Sequence, residues 1–233
     1  MNIENSVVLI TGSNRGIGLE FAKAALARGA QKVYAAARNP ESIPLNGVEK
    51  IKLDVTNQED IAALAQNYPD INVVINNAGI GIPDSVLSDD VIASATAHFD
   101  TNVFGLLRVV KAVEPALKQN AGAAVLNVLS LGSWVSNDVL ATYSASKSAA
   151  WSITNTQRIA LKPYGVQVSG LHMGFVDTDL TAGIEDEKSS PADIVKIALD
   201  ELEAGTEEII ADEMTKMIKA SLSTSTPAYL AVN

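Results

Sequence analysis

The sequence contains no cysteine, so disulfide bonds, thiolate metal sites and cysteine nucleophiles are excluded. Histidine is almost as scarce, because only His98 and His172 are present, and we do not expect a histidine-based metal site. No apolar run approaches the ~18 residues of a membrane-spanning helix, and residues 1–5 lack the basic and apolar segments of a secretory signal. We therefore expect a cytoplasmic protein that does not associate with membranes.

Basic residues are also few: 17 Lys and Arg stand against 27 Asp and Glu, which gives a formal net charge of −10. This charge would repel a phosphate backbone, so we do not expect nucleic acid as a partner. A small anionic cofactor is still compatible with it, since a helix N-terminus and a few arginines can bind an anion locally. The composition thus excludes one class of partner and leaves small-molecule binding open.

What the sequence does contain is an alternation of short apolar runs and segments with helical spacing, over a length that suits one large α/β domain. Strands are predicted at residues 6–10, 32–37, 50–53, 71–75, 123–129, 166–171 and 208–210, and helices at 17–28, 57–66, 89–119, 142–162 and 191–203. We predict a single domain, residues 1–233, with about seven strands in a Rossmann-type, doubly wound parallel sheet that binds ligands beyond its carboxyl edge. The cofactor half would cover about 1–120 and the catalytic and substrate half about 121–233, while the tail after Lys219 has weak structural signals.

A glycine-rich turn follows the first predicted strand, with the sequence Thr11-Gly12-Ser13-Asn14-Arg15-Gly16-Ile17-Gly18. At this position, backbone N–H groups and the dipole of the next helix can bind the pyrophosphate of a dinucleotide. We expect Gly12 to permit the tight turn, Gly16 to let phosphate approach and Gly18 to let the helix pack close to the sheet. Glycine-rich turns of other function are common, so the strand-then-helix context carries this prediction.

The choice of cofactor is predicted from the end of the second strand, where an acidic residue would bind the ribose 2′-hydroxyl of NAD. Ala37 and Arg38 lie there instead. A guanidinium suits a 2′-phosphate, and Arg15 in the glycine-rich turn points to the same pocket. The alternative is that one or both arginines are solvated surface residues. We predict NADPH or NADP+ as the cofactor in preference to NADH.

Tyr143 and Lys147 open a predicted helix in the sequence Tyr-Ser-Ala-Ser-Lys. Their i, i+4 spacing places the phenol and the ammonium on one helix face, within reach of a shared ligand. Because a neighbouring cation favours the phenolate, we expect Lys147 to lower the pKa of Tyr143 from its usual ~10. Most pairs with this spacing are ordinary surface contacts, so the pair becomes informative only together with other motifs.

Several separated motifs together make the chain similar to the short-chain dehydrogenase/reductase family over nearly its whole length. Besides the glycine-rich turn and the Tyr143/Lys147 pair, these motifs are Asp54-Val55, Asn76-Asn77-Ala78-Gly79, Asn102, Ser130 at thirteen residues before Tyr143, and Gly174 to Thr178. The resemblance implies an NADP-preferring aldehyde or ketone reductase, similar to carbonyl reductases, that transfers hydride between NADPH and a carbonyl or secondary alcohol. It also implies a homodimer or homotetramer, because the long helices resemble the family's pairing surfaces.

The roles of the family's residues are carried over as implications of this resemblance. Tyr143 would give its proton to the carbonyl oxygen, and Ser130 would hydrogen-bond the same oxygen. Lys147 would bind the nicotinamide ribose, and Asn102 would hold a water of the proton relay. The implied cofactor-binding residues are Gly12, Ser13, Asn14, Arg15, Gly16, Ile17, Gly18, Arg38, Asp54, Val55, Asn77, Ala78, Gly79, Tyr143, Lys147, Gly174, Val176 and Thr178.

Each role also has a structural alternative. Ser130 would otherwise satisfy a strand end, Asn102 would cap or kink its helix, and Asn77 would be a turn residue. Ser133 is a weaker candidate for the serine role, and His172 is expected to be a filler near a strand end. Two rival functions share this kind of fold, a cofactor-independent haloalcohol dehalogenase-like lyase and a non-catalytic NADP-sensing module. The glycines with Lys147 argue against the first, and the intact catalytic set argues against the second.

Two loops on the substrate side depart from the family or are unusually short. Met173-Gly174 stands where the family commonly has Pro-Gly, and losing the fixed φ of proline predicts a more mobile loop beside the nicotinamide. Residues 179–190 are polar and precede the helix that Pro191 opens, so we expect one short turn at most. This predicts an open site for varied or bulky aldehydes and ketones. The alternative is that Leu180 and Ile184 dock inward, or that residues 221–230 or a neighbouring subunit supply a cover.

Overall fold

The structure is a computed structural model that describes residues 1–120 and 122–230. Within these residues, seven strands form one parallel sheet in the order β3-β2-β1-β4-β5-β6-β7. The strands are β1 Val7–Thr11, β2 Lys32–Ala37, β3 Glu49–Lys52, β4 Val73–Asn76, β5 Ala124–Val128, β6 Gln167–His172 and β7 Glu208–Ile210. The strand order reverses between β1 and β4, so the carboxyl ends of these two strands border the crevice where doubly wound sheets bind ligands.

Helices cover both faces of the sheet. They are α1 Gly16–Ala27, α2 Gln58–Asn67, α3 Val91–His98, α4 Leu106–Gln119, α5 Ala141–Leu161, α6 Pro191–Ala204 and α7 Glu213–Ser221, with a π-helical segment, Phe99–Gly105, between α3 and α4. Helices α1 and α6 pack on one face, and α2, α4 and α5 pack on the other. Over the described ranges, no helix combines the length and the apolar composition needed to cross a bilayer.

Local features of the sequence, such as apolar strands and helix-capping residues, explain where several strands and helices form. Every residue of β1 and β5 is buried, as expected for parallel strands that are covered on both faces. Asn57 caps α2 by accepting a hydrogen bond from the Asp60 N–H at 3.0 Å. Pro191 occupies the first turn of α6, and Gly205 ends that helix with φ at +88°.

The prediction of a doubly wound parallel sheet of about seven strands is confirmed. The prediction of one continuous helix over 89–119 is wrong, because α3 begins at Val91 and a π-helical segment separates it from α4. Side-chain contacts of Asn102 with distant residues hold that segment, and periodicity along the chain does not report them. Helix α7 was not predicted, because nine residues give too short a periodic pattern to stand out.

Candidate active site

The glycine-rich turn joins β1 to α1 at the carboxyl edge of the sheet. Gly12 has φ at +70°, in the left-handed region that favours glycine, and a Cβ on Gly18 would overlap the carbonyl oxygen of Gly12. Helix α1 begins without a side-chain cap and without an acidic residue in its first turn, so its first N–H groups are left as donors for an anion. A Cβ on Gly16 would stand 3.3 Å from the Thr178 methyl on the opposite wall. This cradle fits a dinucleotide pyrophosphate.

The turn after β4 braces the glycine-rich turn. The backbone N–H groups of Asn77 and Ala78 each donate to the Thr11 hydroxyl at 3.0 Å. The side-chain amide of Asn77 donates to the carbonyl oxygens of Thr11 at 2.9 Å and Gly12 at 3.1 Å. Asn77, which the resemblance implies to be a cofactor ligand, therefore uses its side chain to hold the shape of the loop.

The other side chains of the turn differ in what they can contact. The Ser13 hydroxyl is fully buried and donates to the carbonyl oxygen of Ile10 at 2.6 Å, so it supports the turn from beneath. Asn14 and Ile17 are half-buried. Of these implied cofactor ligands, Asn14 and Ile17 keep exposed surface that a bound molecule can contact, and Ser13 offers only its backbone.

Both arginines of the cofactor prediction lie at the carboxyl edge. Arg38 is exposed and directly follows Ala37, the last residue of β2. Arg15 pairs across the crevice with Asp179, with Nη1 2.7 Å from Oδ2, and the two side chains are 65% and 69% exposed. Arg15 and Arg38 are therefore both exposed at this edge, and Arg15 already contacts a carboxylate.

Asp54 and Val55 follow β3, and the charge of Arg38 acts on the Asp54 carboxylate. The Asp54 carboxylate accepts hydrogen bonds from the Thr56 N–H at 2.9 Å and the Thr56 hydroxyl at 2.7 Å. Burial alone would raise the pKa of Asp54, but these bonds and the charge of Arg38 lower it overall. Val55 is buried against Gly105 of the π-helical segment, where a Cβ would clash with it. The structure thus keeps an ionised carboxylate beside the crevice.

Asn102 lies in the π-helical segment and joins two parts of the site. Its amide pairs with the backbone of Ile80, accepting from the N–H at 2.9 Å and donating to the carbonyl at 3.0 Å. The same Nδ2 donates to the Ser146 hydroxyl at 2.9 Å, and Ser146 donates to the Tyr143 carbonyl oxygen at 2.7 Å. Asn102 therefore fastens the turn after β4 to α5; its role in a water relay stays a prediction.

Lys147 is buried on the inner face of α5. Its Nζ donates to the carbonyl oxygen of Val128, the last residue of β5, at 2.8 Å. Burial lowers the pKa of Lys147 to about 8. A cavity between the strand ends is lined in part by Thr11, Asn102 and Lys147. The ammonium therefore borders this cavity at the carboxyl edge of the sheet.

Tyr143 lies one helical turn before Lys147, and both its ring and the Ser130 hydroxyl lie beside Gly132, where a Cβ would stand 3.6 Å from Tyr143 Cε1 and 3.4 Å from Ser130 Oγ. The Nζ of Lys147 is 5.7 Å from the centre of the Tyr143 ring. Burial raises the pKa of Tyr143, and the nearby Ser130 hydroxyl offsets only part of this rise. The expectation that Lys147 lowers this pKa is therefore wrong, because loss of water around the phenol outweighs a cation that is directed at Val128. A phenol with a raised pKa keeps its proton at neutral pH.

Of the two serines, Ser130 is the one that acts on the pKa of the Tyr143 phenol. Ser130 also accepts a hydrogen bond from the Gly132 N–H at 3.0 Å, whereas the buried Ser133 hydroxyl has no hydrogen-bond partner among the described residues. His172 lies 3.1 Å from the Ser130 carbonyl oxygen through Nδ1, and its ring stacks on Trp134 at 4.0 Å. Burial lowers the pKa of His172 to about 4, so a neutral His172 supports Ser130 from behind.

The segment after β6, expected to clasp the nicotinamide, is anchored at two points. The Gly174 N–H donates to the Asp212 carboxylate at 2.7 Å, and the Leu131 N–H donates to the Met173 carbonyl oxygen at 2.8 Å. Val176 is buried. These contacts hold the loop where proline is missing, so the reason for expecting extra mobility there is weakened.

Asp212 is a site residue that the sequence analysis does not identify. Its carboxylate caps α7 by accepting from the Thr215 N–H at 2.8 Å and the Thr215 hydroxyl at 2.9 Å, besides holding Gly174. The signal is present in the sequence, since an aspartate immediately before a helix-forming stretch is typical of an N-cap. Its bond to Gly174 depends on the fold and leaves no local pattern.

Residues 179–190 cover little of the site. They form one short 3₁₀ turn, Asp179–Thr181, in keeping with their length and polarity. Leu180 is 55% exposed, and a Cβ on Gly81 would stand 3.4 Å from Leu180 Cδ1 and 3.5 Å from Tyr143 Cδ2. Leu180 therefore lies at the mouth of the site, near the phenol, and most of its surface faces solvent.

The chain matches a family model described as short chain dehydrogenase over residues 6–189, a range that contains every predicted site residue. It is 29% identical over 198 residues to a 3-oxoacyl-acyl-carrier-protein reductase of Vibrio cholerae, covering 81% of this chain and 80% of the relative. It is 30% identical over 201 residues to the trans-4-hydroxycyclohexanecarboxylate dehydrogenase of Sinomonas cyclohexanicum, covering 78% and 77%.

Solved structures give the same result at the level of the fold. A short chain dehydrogenase from Burkholderia cenocepacia in complex with NADP superposes with a TM-score of 0.93 and 36% identity, covering 97% of this chain and 95% of that one. A short chain dehydrogenase/reductase from Burkholderia phymatum in complex with NAD gives a TM-score of 0.80 at 22% identity, covering 95% of each chain. The second likeness concerns the fold alone.

Proposed function

Because the chain belongs to the short-chain dehydrogenase/reductase family of oxidoreductases, we propose that it transfers a hydride between NADPH and a carbonyl or secondary alcohol. In this proposal it acts as an aldehyde or ketone reductase. The observation that carries the proposal is the surroundings of Tyr143: a protonated phenol whose ring lies with the Ser130 hydroxyl beside Gly132, with the buried ammonium of Lys147 one helical turn away. An acid placed in this way can deliver a proton to a carbonyl oxygen, and a nearby cation stabilises the charge that is left on the acid.

The bound nicotinamide would supply the hydride, and the residues of this chain would manage the proton. A carbonyl oxygen placed at Ser130 and Tyr143 would accept hydrogen bonds from both hydroxyls, which polarises the carbonyl. Tyr143 would then give its proton to that oxygen. Lys147 would stabilise the phenolate that this leaves, and Asn102 would hold the water that returns a proton.

The preference for NADPH rests on Arg15, Arg38 and the neutral Ala37. The NADP in the Burkholderia cenocepacia structure supports it. The glycine-rich turn would hold the pyrophosphate, and the remaining contacts would come from Asp54, Val55, Ala78, Gly79, Lys147, Gly174, Val176 and Thr178.

The substrate would enter through an open mouth. Gly81 and Gly132 flank the Tyr143 ring, since a Cβ on either would come within 3.5 to 3.6 Å of its carbons. Both positions lack a side chain, and Leu180 beside them is mostly exposed. The protein would therefore make few contacts with the parts of a substrate outside its carbonyl group. This favours varied or bulky carbonyl compounds that bind with modest affinity.

The expected homodimer or homotetramer also belongs to the proposal. Phe104 is 46% exposed, and Ile159 on α5 is 75% exposed, so both offer apolar surface for a second copy. Light scattering on the purified protein would give the oligomeric state directly.

Tyr143→Phe tests the catalytic assignment, with Tyr164→Phe, an exposed tyrosine in the turn after α5, as the matched control. Turnover of NADPH with a panel of carbonyls, from small aliphatic to bicyclic, is measured together with NADPH binding by fluorescence. We expect Tyr143→Phe to lose ~3–5 kcal/mol of transition-state stabilisation while it still binds NADPH, and Tyr164→Phe to match the wild type. If Tyr143→Phe keeps more than about a tenth of the wild-type kcat/KM, the assignment fails.

The same panel separates the alternative functions. NADPH binding without oxidation by any carbonyl would favour a sensing module, and activity on haloalcohols without cofactor would favour a lyase. KM values clustered in the millimolar range would support the open mouth. One compound with a micromolar KM and no activity on the rest would contradict it.

A further inference from the structure

A polar cluster outside the catalytic set ties the loop after β4 to the start of α5. We use the name polar cluster for Ile82, Asp84, His98 and Thr142. The Ile82 N–H donates to His98 Nε2 at 2.9 Å, and His98 Nδ1 lies 2.7 Å from the Thr142 hydroxyl. Thr142 contacts Asp84 twice, through its hydroxyl and through its N–H at 3.1 Å. Asp84, His98 and Thr142 are all buried.

These contacts fix the protonation of the histidine. A backbone N–H can only donate, so His98 Nε2 accepts and the ring proton must lie on Nδ1. Nδ1 then donates to the Thr142 oxygen, and the Thr142 proton is directed to the Asp84 carboxylate. Each donor faces one acceptor, and this holds only for the neutral imidazole.

The polar cluster also caps the helix that carries the catalytic residues. Helix α5 begins after Leu140, which provides no side-chain cap. The Asp84 carboxylate accepts from the Thr142 N–H instead and places a negative charge at the helix N-terminus. The first turn of α5 is therefore fixed by a residue from a distant loop.

Tyr143 directly follows Thr142, and the same loop lies beside its ring. A Cβ on Gly81 would stand 3.5 Å from Tyr143 Cδ2, and the His98 ring meets the Tyr143 ring edge-on at 6.0 Å between centres. A shift of the loop or of the first turn would therefore move the phenol away from Ser130. Small displacements of this kind slow proton transfer more than they weaken binding.

We propose that Asp84, His98 and Thr142 are positioning residues that hold Tyr143 for proton transfer, and that they do so only while His98 is neutral. The proposal rests on the catalytic role proposed above for Tyr143. It adds an acid-sensitive support to the site, built from residues outside the motifs of the family resemblance.

Protonation of His98 would place a second donor against the Ile82 N–H and so break the polar cluster. The titratable groups around His98 are Asp84 in the loop and Tyr143 and Lys147 on α5. Burial lowers the pKa of His98, Asp84 opposes this change and Lys147 adds to it. We therefore expect the cluster to stay intact at neutral pH and to open below the pH at which an ordinary histidine titrates.

A pair of substitutions at Thr142 separates positioning from packing. Thr142→Val keeps the shape of the side chain and removes the hydroxyl, and Thr142→Ser restores the hydroxyl. We expect Thr142→Val to lower kcat by about 10-fold to 100-fold with little change in carbonyl KM or NADPH affinity, and Thr142→Ser to stay within about 3-fold of the wild type. Asp138→Asn, an exposed residue that bonds Ser85 of the same loop, is the control and should leave kcat unchanged.

His98→Gln tests the acid sensitivity, because glutamine carries one donor and one acceptor but does not titrate. We expect the wild type to lose kcat reversibly in acid and His98→Gln to keep its kcat to lower pH. Equal kcat in wild type and Thr142→Val, or the same acid limb in wild type and His98→Gln, would overturn the proposal. If the wild type itself reduces no carbonyl, the proposed function has failed instead, so the two failures are distinguishable.

Discussion

Asp179 lies where it would compete with the cofactor for Arg15, and Asp179→Asn tests this competition. The carboxylate contacts the guanidinium at 2.7 Å, and a 2′-phosphate that uses Arg15 must displace it. Ion pairs as exposed as this one are worth only ~0.2–1 kcal/mol, because water screens them. Removing the carboxylate should therefore tighten NADPH binding by about 1.4-fold to 5-fold.

The assay is a fluorescence titration of each variant with NADPH and NADH. Binding of 2′,5′-ADP and 5′-AMP, measured by calorimetry, isolates the phosphate without the nicotinamide. Asp177→Asn is the matched control, since it removes the same charge from an exposed residue two positions earlier. We expect the gain only for ligands with the 2′-phosphate, only in Asp179→Asn, and reduced at high salt.

Three results would refute this reasoning. An equal gain in Asp177→Asn would mean that overall charge, and not the contact with Arg15, controls affinity. An equal gain for NADH would mean that Asp179 acts on the shared part of the cofactor. No gain at all would show that the phosphate does not use Arg15.

Two further predictions concern the cofactor and acid stability. Ala37→Asp should repel the 2′-phosphate and shift the cofactor preference toward NADH by ~1–3 kcal/mol. The ratio of kcat/KM with NADPH to kcat/KM with NADH measures this shift. A wild type that prefers NADH would contradict the assignment of Arg15 and Arg38 to the 2′-phosphate. His172 stays neutral when folded, with its pKa near 4, so the unfolded chain takes up its proton first as pH falls below ~6.5. Between pH ~6.5 and pH ~4, the wild type should therefore lose about 3 kcal/mol more unfolding free energy than His172→Gln does. Urea denaturation at both pH values measures this loss, and an equal loss in the two proteins would rule out the prediction.

The fold could be predicted because its signals are local. Strands covered on both faces are apolar throughout, and β7 begins and ends where the sequence predicts. The glycine-rich turn could also be predicted from local sequence, because the positive φ of Gly12 and the lack of space for a Cβ at Gly18 both favour glycine. Local signals also explain why α2 and α6 were placed within a residue or two of their ends.

The parts that could not be predicted depend on contacts between distant residues. The π-helical segment is held by Asn102 pairing with Ile80, and the α5 cap comes from Asp84, 58 residues before Thr142. Neither contact leaves a periodic pattern. The direction in which the pKa of Tyr143 changes could not be predicted either. The i, i+4 spacing shows that a cation is near the phenol, but it does not show how much water the fold removes from around it.

A raised pKa at Tyr143 is compatible with its proposed role. Coulombic attraction from Lys147 acts on the phenolate, so it is weak while the phenol holds its proton and grows as the proton leaves. The Nζ of Lys147 lies 5.7 Å from the ring centre in buried surroundings, where such attraction is screened less than in water. With its pKa near 8, Lys147 is still mostly charged at pH 7. Burial therefore keeps Tyr143 protonated before the reaction, and Lys147 stabilises the negative charge that develops on the phenol oxygen as Tyr143 donates its proton.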